Sequence, residues 1–361
     1  SEVASVRMRA ERLFRQLARG PARRLPPNWI TTRATEEALA LLQRLEGLRT
    51  ALLAIPDRPE TIAGLAGRCL TLAGELAFLF KAEDDGHVYF IETRGRGVFL
   101  RAMPIDVSER LKELMFDQVR AAVLTSATLA VDGGFTFLKD RLGIEATDEL
   151  LLPSPFYFED QAVLYVPREL PEPTSPGFVD HAAEEIVHLL ELSRGRAFVL
   201  FTSYANMNAV AERIAGRIDY PVFFQGDAPM PALLETFRGT PHAVLLATAS
   251  FWQGVDVVGE QLSCVIIDKL PFASPGDPVV GARIDRLRSR GGNPFAEYQV
   301  PVAVLTLKQG LGRLIRSASD TGILAVLDSR LVRKAYGQRF LESLPPARLV
   351  HDLAEVERFM R

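Results

Sequence analysis

The second half of the sequence alternates between short apolar runs and longer amphipathic runs, and this alternation restricts the fold more than any other feature. The apolar runs have the length of buried strands, and the runs between them repeat apolar residues every three or four positions, as helices do. Buried strands separated by helices fold as a mostly parallel sheet with helices on both faces. The predicted strands are 162–166, 197–202, 221–225, 243–247, 264–268 and 322–327, and the predicted helices are 178–193, 205–218, 229–238, 277–290 and 296–316.

In a parallel sheet of this kind, the functional site lies at the carboxyl ends of the strands. Small, polar and charged residues follow three of the predicted strands, at 202–204, 248–256 and 269–272. A fourth run, 126–129, follows another short apolar segment, 121–125, which we also predict to be a buried strand. The gathering of such residues after successive strands predicts a site.

Each of these runs also has a purely structural explanation. Ser126 and Thr128 have the chemistry of turn hydroxyls. Trp252 would more commonly pack in a core than stack on a base. Asp256 follows Gly254 and suits a turn, and Cys264 heads an apolar strand as packing. The argument for a site therefore depends on the runs taken together.

A stretch near residue 310 combines glycines with arginines. Gln309 begins it, Gly310 and Gly312 remove side-chain bulk, and Arg313 and Arg316 follow three residues apart. That spacing predicts that both arginines share one face of a helix. Guanidinium groups match phosphate oxygens in geometry and charge, so a phosphate clamp is one interpretation. A solvated basic helix end is the other.

The first 85 residues predict a small all-helical segment without recognisable chemistry. A basic amphipathic helix covers about 1–20, a second begins near Thr35, and a third covers roughly 59–80. The arginines of the first helix are interpreted as a solvated face, with contact to nucleic acid as the alternative. From His87 onwards, two apolar runs around a glycine turn predict a hairpin.

Composition excludes several classes of protein. The chain has 361 residues, 48% of them hydrophobic, and a formal net charge of -3, so any nucleic-acid surface must be a local patch. Cys69 and Cys264 are the two cysteines, which fits a reducing cytoplasm and gives no disulfide scaffold. No apolar run reaches 18 residues, and no His/Cys spacing suits a metal, so we predict neither a membrane partner nor a metal site.

In their order and their amino-acid sequences, these runs resemble the conserved motifs of one helicase family. Residues 125–129 resemble motif III of superfamily 2 helicases, 201–204 motif IV, 248–259 motif V and 309–316 motif VI. The sequence of 269–272, Lys-Leu-Pro-Phe, resembles that of the DinG branch of the XPD-like helicases. The resemblance extends from about His87 to Tyr336 and implies a RecA-like, P-loop-NTPase-type α/β sheet.

The resemblance implies a role for each residue that we select as a site candidate. Arg316 would be the arginine finger on the γ-phosphate, with Arg313 and Gln309 placing the phosphates or the attacking water. Ser126 and Thr128 would couple the nucleotide state to the grip on DNA. The remaining nucleotide-binding candidates are Gly254, Asp256 and Gly312, and the DNA-binding candidates are Ser203, Tyr204, Thr248, Ser250, Trp252 and Lys269.

The sequence departs from an intact family member in three ways. No lysine follows a glycine, so there is no Walker A loop, and the metal-holding carboxylate box is missing. Two cysteines cannot supply a four-cysteine iron–sulfur cluster, although the parent protein could hold one elsewhere. ATP and Mg²⁺ are therefore expected as cofactors of the full-length protein, and this chain alone is expected to lack ATPase activity.

The chain is therefore expected to be the C-terminal part of a helicase. Residues 1–85 would be the tail of an Arch-like insertion, 86–150 the last piece of the first RecA-like domain, and 151–361 a complete second RecA-like domain. The missing N-terminal RecA-like domain and single-stranded or forked DNA are the expected partners. The family further implies 5′-to-3′ unwinding by a cytoplasmic monomer in DNA repair.

Two other functions are compatible with the residues. A degenerate RecA-like module could bind nucleic acid or a partner without hydrolysing ATP. A nuclease or other hydrolase would need carboxylates clustered at strand ends to hold a metal. Asp256 and Asp268 are the candidates for that cluster, and both lie within sequences that resemble helicase motifs.

Overall fold

The structure is a computed structural model that describes residues 2–18, 23–26, 29, 32–57, 59–95, 97–248, 251, 257 and 259–361. The helices are α1 (Glu2–Leu17), α2 (Thr32–Leu53), α3 (Glu60–Lys81), α4 (Ser108–Leu114), α5 (Thr136–Leu142), α6 (Phe158–Gln161), α7 (Phe178–Ser193), α8 (Tyr204–Ile214), α9 (Met230–Gly239), α10 (Pro278–Ser289), α11 (Val300–Leu311), α12 (Arg330–Arg333), α13 (Gly337–Ser343) and α14 (Leu353–Met360). The strands are β1 (Arg23–Leu25), β2 (His87–Arg94), β3 (Gly97–Pro104), β4 (Ala162–Tyr165), β5 (Ala197–Phe201), β6 (Val222–Phe224), β7 (Val244–Thr248), β8 (Cys264–Ile267), β9 (Gly322–Val326) and β10 (Arg348–Val350).

These elements form two compact units. Unit 1 comprises Ser1–Glu109 and Ser274–Gly292, and unit 2 comprises Arg110–Ala273 and Asn293–Arg361. The chain therefore leaves unit 2 after Ala273, contributes α10 to unit 1, and returns at Asn293. The return begins with a π-helical turn, Phe295–Gln299, that runs directly into α11.

Unit 1 combines three long helices with a three-stranded antiparallel sheet in the order β1-β2-β3. Leu13 of α1, Leu45 of α2 and Ile91 of β2 are all buried in its core. Helix α10 packs through Ala282 against Val88 on the hairpin. The predicted helices and the hairpin are therefore confirmed, and β1 is an element that the sequence did not suggest.

Helix α3 leaves most of its apolar surface exposed within unit 1. Leu65, Leu70, Leu72 and Phe78 are all exposed large side chains on it. By length and composition it could cross a membrane, and 11% of its most apolar 18-residue window is buried. Charged residues such as Arg68 and Glu75 interrupt its apolar sequence, so it contains no uninterrupted apolar run of 18 residues. One such helix is weak evidence for a membrane span, so the prediction of no membrane partner stays a prediction.

Unit 2 is built on a seven-stranded sheet in the order β10-β4-β9-β8-β5-β7-β6, with every neighbouring pair parallel. Successive strand residues point to opposite faces, and both faces are buried. On one face Phe198 and Val265 join the apolar residues of α9, α11 and α13. On the other face Val199 and Ile266 join those of α7, α8 and α14. The predicted α/β fold is confirmed.

Two predictions about secondary structure are wrong. Residues 121–125 form no strand, and Val123 is 90% exposed. No described strand lies beside this segment, so its apolar residues have no sheet to join. The helix predicted for 296–316 ends at Leu311, and both Arg313 and Arg316 therefore lie outside it.

Candidate functional site

Apart from Ser126 and Thr128, the site candidates that the structure describes fall at two opposite edges of the seven-stranded sheet, formed by the two ends of its strands. Ser203 and Tyr204 follow β5, Thr248 ends β7, and Lys269 follows β8, so these four lie at the carboxyl edge. The loop that carries Arg316 leads into the first residue of β9 and lies at the amino edge. Strands of five residues at about 3.3 Å per residue separate the two edges by roughly 15 Å.

The buried carboxylate of Asp268 organises the carboxyl edge at β8. Its Oδ1 accepts hydrogen bonds from the backbone N–H of Thr202 at 2.9 Å and of Lys269 at 2.8 Å. Its Oδ2 accepts from the Asn206 amide on α8 at 3.0 Å. Burial raises the pKa of Asp268 to about 6, although the Asn206 hydrogen bond and the Lys269 charge lower it. This carboxylate therefore fixes the turn after β5 relative to the turn after β8.

Ser203 lies in that turn, directly before α8. Its backbone is extended, with φ of -151° and ψ of 149°, and its Oγ accepts a hydrogen bond from the Asn206 N–H at 3.2 Å. This is the geometry of a helix N-cap. Because the oxygen is the acceptor in this bond, the hydroxyl proton of Ser203 remains available for donation at the start of α8.

A second buried carboxylate, Asp328 at the end of β9, holds the run that follows Lys269. Asp328 accepts a hydrogen bond from the Leu270 N–H at 2.8 Å and pairs with Arg330 Nη2 at 2.7 Å. This hydrogen bond and charge raise the pKa of Arg330. The guanidinium carbon of Arg330 lies 5.8 Å from the ring centre of Phe272. The Lys-Leu-Pro-Phe run therefore has a fixed backbone.

Gln225, directly after β6, connects two of the predicted DNA-binding residues. Its Oε1 accepts from the Thr248 N–H at 2.6 Å and from the Thr248 hydroxyl at 2.9 Å. Its Nε2 donates to the Tyr204 hydroxyl at 2.6 Å. Thr248 is 7% exposed and Tyr204 is 53% exposed. The site therefore joins a buried threonine to a solvent-facing tyrosine through one amide.

The arginine loop at the amino edge begins where α11 ends. Gly312 caps the helix, and its N–H donates to the Lys308 carbonyl at 2.9 Å. Leu314 and Ile315 then turn into the core at 2% and 3% exposure. Burying these two side chains takes the backbone out of the helix. The two arginines are thus presented by a loop and not by one helix face.

Asp320 closes this loop. Its Oδ2 accepts from the N–H groups of Arg316 at 2.7 Å and Ser317 at 2.8 Å, and its Oδ1 accepts from the Ser317 hydroxyl at 2.8 Å. Gln161, just before β4, donates to the carbonyl groups of Ser317 and Asp320, both at 2.9 Å. Arg316 is therefore mounted on a backbone that is held from two sides.

The predicted coupling residues, Ser126 and Thr128, lie in a turn whose following residues contact α11. The Ser126 hydroxyl accepts from the Thr128 N–H at 3.2 Å, which is a serine turn. Two residues further on, the carbonyl of Ala130 accepts from Lys308 at 3.3 Å. Burial lowers the pKa of Lys308. The segment after motif III is therefore attached to the helix that ends in the arginine loop.

Four predicted site residues lie outside the described residues, namely Ser250, Trp252, Gly254 and Asp256. Among the residues that the structure describes, no cluster of three or more His, Cys, Asp or Glu side chains could hold a metal. Asp268 is engaged by three donors from the protein, so it is a structural acceptor in this chain.

Comparison with known proteins identifies the family. A family model described as "Helicase C-terminal domain" matches residues 186–347. The ATP-dependent DNA helicase YoaA of Escherichia coli K12 is 46% identical over 282 residues, which are 78% of this chain and 44% of that protein. The chain carries a helicase C-terminal domain and is related in sequence to the YoaA and DinG helicases. The family suggested by the motifs is confirmed.

A second sequence relative agrees with this assignment, and a solved structure resembles the chain in fold. The 3'-5' exonuclease DinG of Bacillus subtilis is 33% identical over 319 residues, which are 84% of this chain and 34% of that protein. A solved structure titled XPD_Helicase aligns with a TM-score of 0.64 at 16% identity, over 96% of this chain and 62% of that one. The latter likeness shows the fold alone. The chain spans about half or less of the length of these curated relatives.

Sequence reasoning missed the residues that hold the site together. Gln225 directly follows β6 and Asp328 lies two residues after β9, so the carboxyl-edge rule that selected Ser203 could also have selected them. Asp320 and Gln161 gave no such signal, because each precedes a strand and their contact joins residues far apart in sequence. A supporting residue of that kind becomes visible when the sheet order is known.

Proposed function

We propose that this chain supplies the C-terminal half of the motor of an ATP-dependent DNA helicase. In this proposal the amino-edge loop contributes an arginine finger, and the carboxyl edge grips single-stranded DNA. The anchored arginine loop is the observation that carries the proposal. Because Asp320 and two buried apolar residues fix its backbone, its guanidinium groups can act as a preorganised phosphate clamp.

The groups available in this loop suit a triphosphate. Arg316 would contact the γ-phosphate, Arg313 would bind a neighbouring phosphate, and Gln309 would help to place the attacking water. ATP bound with Mg²⁺ supplies the phosphoryl group in such motors, and the protein contributes positioning and charge neutralisation. The sequence has no phosphate-cradling Walker A loop, so we propose that this chain alone binds without hydrolysing.

The exposed apolar segment 119–125 supports the proposal of a missing first RecA-like domain. Val119, Val123 and Leu124 are exposed at 47%, 90% and 46%. Apolar residues of strand-like composition that lack a sheet suggest that a sheet from elsewhere receives them. We propose that this segment joins the sheet of a first RecA-like domain, within a cytoplasmic, monomeric helicase that moves 5′ to 3′ on DNA.

Replacing Arg316 tests the finger. The assay uses the longer protein that this proposal implies, with both RecA-like domains. In that protein, Arg316→Ala should lower the kcat of DNA-stimulated ATP hydrolysis by about 10³-fold or more. Single-strand affinity should stay within a few-fold of wild type, because the arginine lies at the other edge of the sheet. Arg333→Ala, which removes an exposed arginine outside the motifs, is the matched control. An unchanged kcat in the Arg316 variant would overturn the assignment.

Replacing Lys269 tests the proposed binding of single-stranded DNA at the carboxyl edge. Lys269→Ala should weaken binding to an unstructured oligonucleotide and should reduce the slope of log affinity against log salt by about one charge, that is by roughly 0.7. The slope is measured by fluorescence anisotropy over a range of salt concentrations. The exposed Lys334, which pairs with Glu172 at 2.8 Å, provides the control variant Lys334→Ala. An unaltered slope in the Lys269 variant would remove this lysine from the DNA path.

A further inference from the structure

The position of Gln225 is fixed by its backbone. Its N–H donates to the Leu246 carbonyl at 2.9 Å and continues the β6–β7 ladder by one residue. Gly226 follows with a φ of 114°, a conformation that residues with a side chain rarely adopt. Asp227 then accepts from the Phe224 N–H at 3.1 Å and closes the turn. The side chain of Gln225 therefore leaves the carboxyl edge from a rigid turn.

The orientation of the Gln225 amide follows from what its neighbours can donate. A backbone N–H can only donate, so the atom 2.6 Å from the Thr248 N–H must be the amide oxygen. The amide nitrogen consequently faces the Tyr204 hydroxyl at 2.6 Å. An amide nitrogen also can only donate. The Tyr204 oxygen is therefore the acceptor in that bond, and its own proton turns away from Gln225.

This orientation decides which hydroxyl can serve a ligand. The Thr248 hydroxyl donates its proton to Gln225 and is buried, so it is engaged within the protein. Among the described residues none accepts the Tyr204 hydroxyl proton, and the side chain is 53% exposed. Tyr204 also begins α8, and the N-terminus of a helix favours anions. A phosphate oxygen is the acceptor that suits this place.

We propose that Gln225 is a positioning residue that makes Tyr204 a hydrogen-bond donor to a backbone phosphate of single-stranded DNA. The proposal rests on the proposed grip of the carboxyl edge on DNA. It assigns Thr248 to the support of Gln225 and gives the contact itself to the tyrosine hydroxyl. It also separates Tyr204 from a residue that merely stacks on bases, because stacking needs the ring and not the hydroxyl.

The variant Gln225→Glu tests the orientation with little change of shape. One carboxylate oxygen still accepts from Thr248, while the other can no longer donate to Tyr204. That second oxygen instead accepts the tyrosine proton, which turns inward. We expect Gln225→Glu and Tyr204→Phe each to lower affinity for oligo-dT by about 10-fold, the loss expected for a hydrogen bond to a charged group. Binding is measured at about 0.2 M salt, so that the added charge is screened.

The double variant gives the sharper result. If Gln225 acts through the Tyr204 hydroxyl, the combined variant should bind within about threefold of Tyr204→Phe alone, because the hydroxyl is already gone. Independent effects would multiply to about 100-fold and would overturn the proposal. Wild-type affinity in Tyr204→Phe together with weak binding in Tyr204→Ala would also overturn it, since the ring would then be the contact.

Two further measurements keep the outcome unambiguous. Thermal unfolding of each variant shows whether the turn after β6 is intact, and Gln225→Ala replaces Gln225→Glu if the glutamate variant unfolds early. If wild-type protein does not bind oligo-dT, the proposed DNA grip fails together with this inference. If wild-type protein binds, and Lys269→Ala weakens that binding while the Gln225 and Tyr204 changes are additive, this inference alone fails.

Discussion

Removing the Asp320 carboxylate should destabilise unit 2 by an amount that depends on which atoms replace it. Asp320 is 8% exposed and accepts from two backbone N–H groups and one hydroxyl. Asp320→Ala leaves both N–H groups without this acceptor. Each buried donor that loses its partner costs about 1–3 kcal/mol, and water can reach part of this loop. We therefore expect a loss of about 2–4 kcal/mol in the free energy of unfolding.

Asp320→Asn is the matched control, because both backbone donors bind the same carboxylate oxygen. An asparagine oxygen placed there keeps both bonds, and its NH₂ group can donate to the Ser317 hydroxyl, which turns to accept. The loss should therefore be about 1 kcal/mol, mainly from the missing charge. Urea unfolding of the chain, followed by far-ultraviolet circular dichroism, measures both variants. Equal losses in the two variants would refute the reasoning.

Three other perturbations have defined outcomes. Gly322→Ala should destabilise unit 2 by about 3 kcal/mol or more in urea unfolding, because the added carbon would overlap the Ser263 carbonyl. The control Gly134→Ala places its added carbon in open space and should destabilise unit 2 far less. Gly67→Ala, at an open position inside α3, should raise the stability of unit 1 by about 0.5–1 kcal/mol, measured by thermal unfolding. The pKa of Asp268 is raised to about 6 in the folded protein, so this group stabilises the fold most at low pH and loses about 2 kcal/mol of that contribution between pH 4.5 and pH 7. Unfolding measured at these two pH values should show the fall in wild type and not in Asp268→Asn.

The architecture of unit 2 was predictable because its pattern repeats. Most apolar runs of four or five residues, such as Ala197–Phe201, are bounded by turn residues and followed by an amphipathic helix. Because these local signals repeat along unit 2, they predict a parallel sheet covered by helices. Strand β10 was missed because three residues give too short a run, and its pairing with β4 depends on the far end of the chain.

The errors have a common cause, since distant residues overrode a local pattern. The helical spacing continues past Leu311, yet Asp320 and the buried Leu314 hold the following backbone outside a helix. Residues 121–125 have the composition of a strand, but a strand also needs a neighbour with which to pair. The candidate residues were found by type and order, whereas their division between two edges of the sheet required the strand directions.

The sheet order also determines when unit 2 can be completed during synthesis. Strand β4 (Ala162–Tyr165) pairs with β9 and β10, which follow about 160 and 185 residues later. At roughly 5–20 residues per second a ribosome needs about 10 to 40 seconds to supply them. Strands β5 to β8 neighbour one another and can assemble during that interval. Gln161 reaches Asp320 only after β9 has docked, so the arginine loop becomes ordered among the last features of the nascent protein.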